Sequence, residues 1–149
     1  MDARRNRGLR KALFVGLLAL IALSVVLALT RRSEWVIPEE AARRENPLLS
    51  SLKNLDAGRG WYKESCAECH GDTGKGDGPK SRKLFTGPSD LTNSASMGLR
   101  TDGALFYQIS EGHRPMPEFR TKMTEEQRWQ LVLLMRSLSA TADPKKKSP

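Results

Sequence analysis

Cysteine and histidine are both scarce, with two of each in 149 residues. A zinc site needs about four protein ligands, or three and a water. Outside the close-set Cys66, Cys69 and His70, the chain offers only His113 as a further imidazole, and no second cysteine pair. Zinc is therefore a poor use of these residues. Alternating apolar and polar runs are also missing, so nothing argues for β-strands or for a thioredoxin-like βαβ setting. No basic stripe interleaved with aromatics occurs either. The formal charge of +8 suggests a nucleic-acid binder, but its distribution does not. Residues 1–30 carry Arg4, Arg5, Arg7, Arg10 and Lys11 against Asp2, for +4. Residues 31–50 balance to zero, and residues 51–140 reach +2. Lys145, Lys146 and Lys147 against Asp143 give +2 in the last nine positions. The excess sits in two tails rather than on a folded basic face, so nucleic acid is not expected as a partner.

Long apolar runs are confined to one place. "ALFVGLLALIALSVVLALT", residues 12–30, carries no charge. At about 1.5 Å per residue it reaches roughly 28 Å, near the bilayer's hydrocarbon core of about 30 Å. A single transmembrane helix is expected here. The basic residues before it favour a cytoplasmic N-terminus, although Arg31 and Arg32 follow it. A cleaved signal peptide is the alternative, but its apolar region usually runs only about 7–15 residues. Small residues at Ala12, Gly16 and Ala19, and at Ser24 and Ala28, suit close packing against a partner helix. Residues 31–50 read as a connection, because Pro38 and Pro47 argue against one continuous helix. Trp35, Val36, Ile37, Leu48 and Leu49 are apolar for a free linker; they suit a membrane interface, a partner surface or a cap on the folded domain. The resulting division is a basic cytoplasmic N-terminus (1–11), a transmembrane helix (12–30), a linker (31–50), a folded domain (51–140) and a basic tail (141–149).

Three helices are expected in the folded domain. "NLDAGRGWYKESCAECH" leads into the cysteines, with Gly58 as its thin spot. Residues 102–112 open on Asp102 as a candidate N-cap and close at Gly112. Residues 124–138 begin with Thr124 and Gln127 in capping-box spacing. Trp129, Val132, Leu133 and Leu138 then follow near the 3.6 period. Between the first two helices lies a long segment rich in Gly, Pro, Ser and charge. Three helices on some ninety residues bury little apolar surface, so a staple or a cofactor is expected.

"CAECH", residues 66–70, supplies it. A disulfide closing so small a loop stabilises little, and the dithiol and zinc readings lack their settings. Cys-x-x-Cys-His as a haem attachment site uses every residue. Two thiols add to the two vinyl groups of one haem, and the histidine reaches the iron from one face. The haem itself then fills the core.

This motif, followed by "GDTGKGDGP" and "GHRPMPEF" before a last amphipathic helix, resembles a class I c-type cytochrome over roughly residues 51–140. The likeness is to the mono-haem, membrane-anchored bacterial type. It implies an all-α cytochrome c fold of three main helices around one covalently bound haem c, preceded by the transmembrane helix. It also implies that first and last helices cross at Gly58, against the Trp129–Leu133 face. A second axial ligand is needed, and Met/His pairs raise the potential. Met116, stiffened by Pro115 and Pro117, is the best-placed thioether, and the family sets its methionine in such a loop. Met97, in a polar loop, and His113 are the rivals; Met123 and Met135 belong to the last helix or its approach. In the family a proline carbonyl accepts the other N–H of the proximal histidine; Pro88 is expected in that role, with Pro79 next. Lys75, Lys80, Arg82, Lys83, Arg114, Arg120 and Lys122 form either ordinary solvated charge or a positive rim for acidic partners.

The function expected from this resemblance is single-electron transfer by a carrier held at the membrane, with its haem domain in the periplasm. Its expected partners are the lipid bilayer and a membrane redox complex: a quinol-oxidising complex as donor, a terminal oxidase or photosynthetic reaction centre as acceptor. A hetero-oligomer is expected, and no catalysis by this chain itself. A peroxidase-like haem enzyme or a haem redox sensor is the alternative should the methionine dissociate.

Overall fold

A computed structural model describes residues 2–30 and 35–141. Arg31, Arg32 and the basic tail beyond Thr141 lie outside the described residues. Two compact units are distinguished, residues 1–36 and 37–149.

The first unit contains α1, Asp2–Thr30. Leu13, Phe14, Leu17, Leu20 and Val25 are each at least half exposed, so the described side chains of this helix bury no preferred face within its unit. Ser24 turns its hydroxyl back to the Ile21 carbonyl at 2.8 Å, which hides its polarity along the helix. Among the described residues, no helix is long and apolar enough to cross a membrane.

Among the described residues, the second unit is mostly helical. Its elements are α2 (Glu39–Ala42), α3 (Leu52–Ser65), α4 (Ala67–His70), a 3-10 turn (Ser81–Lys83), α5 (Ser94–Gly98), α6 (Asp102–Glu111) and α7 (Glu125–Thr141). The main packing joins α3 to α7, with α6 also against α7 and α2 against α6. Gly58 permits the first of these. A Cβ there would lie 2.6 Å from the Gln130 carbonyl oxygen and 3.4 Å from Leu134 Cβ. Trp129, Leu131, Val132 and Met97 are essentially inaccessible and form the centre with Leu105, Phe106 and Ile109.

The ends of the helices follow local chemistry. Ser51 caps α3 by accepting from Asn54 N–H. At the start of α7, Thr124 N–H donates to Gln127 Oε1 at 2.8 Å and Gln127 N–H to Thr124 Oγ1 at 3.2 Å, the expected capping box. The cap of α6 is Thr101 rather than the expected Asp102. Asp102 instead meets Arg136 Nε at 2.7 Å. The long segment after α4 is less loop-like than expected, because α5 forms within it and buries Met97.

From Ile37 onward the chain belongs to the second unit, in keeping with the cap on the folded domain that was one of the expectations for 31–50. Thr101 donates its hydroxyl to the Ala42 carbonyl at 2.6 Å. Gly103 lies so close to the backbone of Ala41 and Arg44 that a Cβ would collide with both. Arg44 pairs with Glu125 and sets its guanidinium 4.7 Å from the Phe106 ring centre. Asn46 donates to the Trp129 carbonyl at 3.1 Å. Residues 37–48 are thus a strap across α6 and α7.

Candidate haem-binding site

α3 ends where the first thiol begins. Cys66 N–H donates to the Tyr62 carbonyl at 2.8 Å, closing α3, and Cys66 then opens the single turn α4. His70 N–H donates to the Cys66 carbonyl at 2.8 Å. One helical turn therefore carries both thiols and the imidazole. Neither cysteine is in a disulfide. Cys66 is buried, and its thiol is pushed up to about 12 by that burial and by the neighbouring Cys69.

The glycine-rich loop folds back onto this turn and occupies its carbonyls. Gly76 N–H donates to His70, Gly78 N–H to Cys69 and Lys80 N–H to Glu68, at 2.7, 3.2 and 2.9 Å. Glycine is required at 76, where φ is +78° and a Cβ would lie 2.5 Å from the Pro88 carbonyl oxygen. Leu91 N–H, donating to the Gly74 carbonyl at 2.7 Å, draws the 88–91 segment alongside.

The Ser89 carbonyl consequently faces His70 Nδ1 at 3.3 Å. The sequence reading gave this role to Pro88; the carbonyl of Pro88 is instead turned toward Gly76. A carbonyl only accepts, so Nδ1 carries the hydrogen and Nε2 keeps its lone pair. Burial lowers the pKa of His70, partly offset by the bond to Ser89. A neutral imidazole with a fixed tautomer is the form a metal ligand takes.

Met116 lies in a tight turn after α6. His113 N–H donates to the Met116 carbonyl at 3.0 Å, and Met116 N–H returns to the His113 carbonyl at 2.9 Å. Met116 is half-buried and packs against the core cluster that includes Cys66 and Ala67. The turn is held at both ends. Gly112 adopts φ +64° under the Pro117 carbonyl, while Phe119 and Arg120 N–H groups donate to the Ser110 carbonyl. Ser110 in turn accepts from the buried Arg128, whose pKa is lowered by burial. The rival Met97 is 1% exposed, and its carbonyl takes a 2.7 Å bond from Arg136. It is a core residue in a helix, not a restraint-free loop residue as expected.

The positive rim is thinner than the sequence implies. Lys80 pairs with Glu68 at 2.6 Å, and Arg120 pairs with Glu111. Sequence reading missed Tyr62, Ser89, Arg128 and Arg136. Tyr62 had the one local signal, four residues before Cys66; the others depend on contacts distant in sequence.

The donor set suits haem c. Two unpaired thiols share one turn, the imidazole presents a lone pair, and a thioether stands in a braced loop on the same core. On an all-helical frame these are the residues of a class I c-type cytochrome. Residues 53–135, more than half of the sequence, match "Cytochrome C oxidase, cbb3-type, subunit III", and the chain belongs to that family. Membership implies covalently bound haem c and an electron-transfer domain. Among solved structures, a chain of the Kuenenia stuttgartiensis reducing HAO-like protein complex Kustc0457/Kustc0458 is similar, at 27% identity and a TM-score of 0.53. The match covers 62% of this chain and 46% of that one, so this chain spans less than half of that relative. The KustC0563 c-type cytochrome is similar at 26% identity and a TM-score of 0.49, over 54% of this chain and 95% of that one. No curated protein matches.

Proposed function

We propose that this chain is a membrane-anchored carrier of single electrons with one haem c. The observation that carries this reading is the turn 66–70, in which the His70 tautomer is set by Ser89. Cys66 and Cys69 would hold the haem through thioethers, and His70 and Met116 would supply an imidazole and a thioether to its iron. Bound there, haem supplies a one-electron ferric–ferrous couple. An imidazole and a thioether both supplied by the protein would suit a carrier of electrons better than an enzyme. One motif and two cysteines support a count of one haem.

The anchor reading rests on residues 12–30, which have no charge, and on the exposed apolar side chains of α1. Such a helix is costly in water and suits a bilayer. We place the N-terminus in the cytoplasm and the haem domain in the periplasm. Anchoring keeps the domain at a high effective concentration near membrane partners. The partners we propose are a quinol-oxidising complex as donor and a terminal oxidase or reaction centre as acceptor, within a hetero-oligomer. A second reading follows from the similarity to a chain of the reducing HAO-like complex: electron delivery to a separate enzyme.

The test is to express the full chain with its haem, wash the membranes at alkaline pH and titrate the retained haem with redox mediators. Retention, with loss of retention on deleting residues 2–36, supports the anchor. A fully released chain contradicts it. Co-purification with a quinol-oxidising or oxidase complex supports the membrane route, and co-purification with a soluble enzyme favours the second reading.

A further inference from the structure

The turn that presents Met116 also presents an imidazole. We propose that His113 is a reserve axial ligand, placed to take over the iron when the Met116 thioether is withdrawn. This rests on the reading of Met116 as the distal ligand.

The backbone geometry carries the argument. His113 and Met116 exchange both of their N–H···O bonds, at 3.0 and 2.9 Å. Residues paired in this way project their side chains from the same face, with Cβ atoms about 4.5–5.5 Å apart. Met116 is the inner member, half-buried against the core, and His113 the exposed one. A small rocking of the turn therefore moves the imidazole toward the place that the sulfur leaves.

The base of the turn stays fixed meanwhile. Phe119 and Arg120 remain tied to the Ser110 carbonyl, and Gly112 remains wedged beneath Pro117. The other thioethers are held in place. Met97 sits in α5, fully buried, with its sulfur 3.9 Å from Arg100 Nη1 and its carbonyl held by Arg136. Met123 is buried, and its N–H is bonded to the Phe119 carbonyl at 3.0 Å. The chain has no imidazole besides His70 and His113. Replacing Met/His ligation by two imidazoles lowers the potential. The exchange would therefore withdraw the carrier from a high-potential route without unfolding it.

The experiment uses the full-length protein with haem attached, as wild type, Met116→Ala and Met116→Ala/His113→Ala. Met116→Leu serves as a parallel variant that keeps the buried volume, in case alanine lowers helical content. Visible and electron paramagnetic resonance spectra report spin state, and 15N-histidine labelling counts bound imidazoles. Expected for the single variant at neutral pH are loss of the deep-red sulfur–iron band, a low-spin ferric signal, two bound imidazoles and a lowered potential. The double variant is expected to be high-spin. A single variant that is high-spin, or that binds one imidazole, overturns the inference. So does a double variant that keeps the low-spin signal. Wild type without the deep-red band overturns the reading of Met116 and this inference with it. A high-spin single variant from a wild type that has the band overturns this inference alone.

Discussion

Tyr62 donates its buried phenol to the Gly71 carbonyl at 2.7 Å, just behind the histidine that ends α4. Burial raises its pKa above the ordinary value of 10.0, with smaller contributions from Cys66, Asp72 and Asp77. The Cys66 contribution disappears once that sulfur is a thioether. The folded state thus holds the phenol proton more tightly than the unfolded chain does. This stabilisation is complete below about pH 10 and is lost as pH rises beyond it. In denaturant melts at several pH values, wild type is expected to lose stability above pH 10 more steeply than Tyr62→Phe. Parallel curves would contradict this. Ser110 and Arg128 give a second contrast. Ser110→Ala strands a buried guanidinium donor and should cost about 1–3 kcal/mol. Arg128→Met removes the charge along with its need for a partner and should cost less. Equilibrium unfolding of both variants checks the order. At this scale the attachment motif was legible, because five consecutive residues carry it. Ser89 was not, because its place depends on how Gly76 lets the loop cross Pro88.

The helices divide in the same way. The capping box of α7 could be anticipated from the spacing of Thr124 and Gln127, and the glycine contact between α3 and α7 from the family resemblance. A cap over 37–48 was among the expectations, but its contacts were not legible, since Arg44 finds Glu125 across 81 positions. Nor was α5, whose burial depends on Arg136 reaching the carbonyls of Met97 and Arg100 from another helix. The two glycines of α3 make opposite predictions. Gly60 has open space around its missing Cβ, so Gly60→Ala should stabilise by up to about 1 kcal/mol through helix propensity. Gly58→Ala would push against the Gln130 carbonyl and should cost about 1–3 kcal/mol. Thermal melts of the two variants should move in opposite directions. A shift of equal sign would remove the close approach of α3 and α7 from the account.

For the whole molecule, sequence and fold meet in one requirement. The second unit has few helices and long connections, and its apolar centre includes Cys66 and approaches Met116. A covalently held cofactor accounts for the economy of the frame. The most direct test is the mass and absorbance of the full-length chain after denaturation and extraction with acidified organic solvent. The account predicts the polypeptide mass plus one haem, with the Soret band retained, and loss of both in Cys66→Ser/Cys69→Ser. A wild-type chain with the mass of its amino acids alone and no haem absorbance would contradict it.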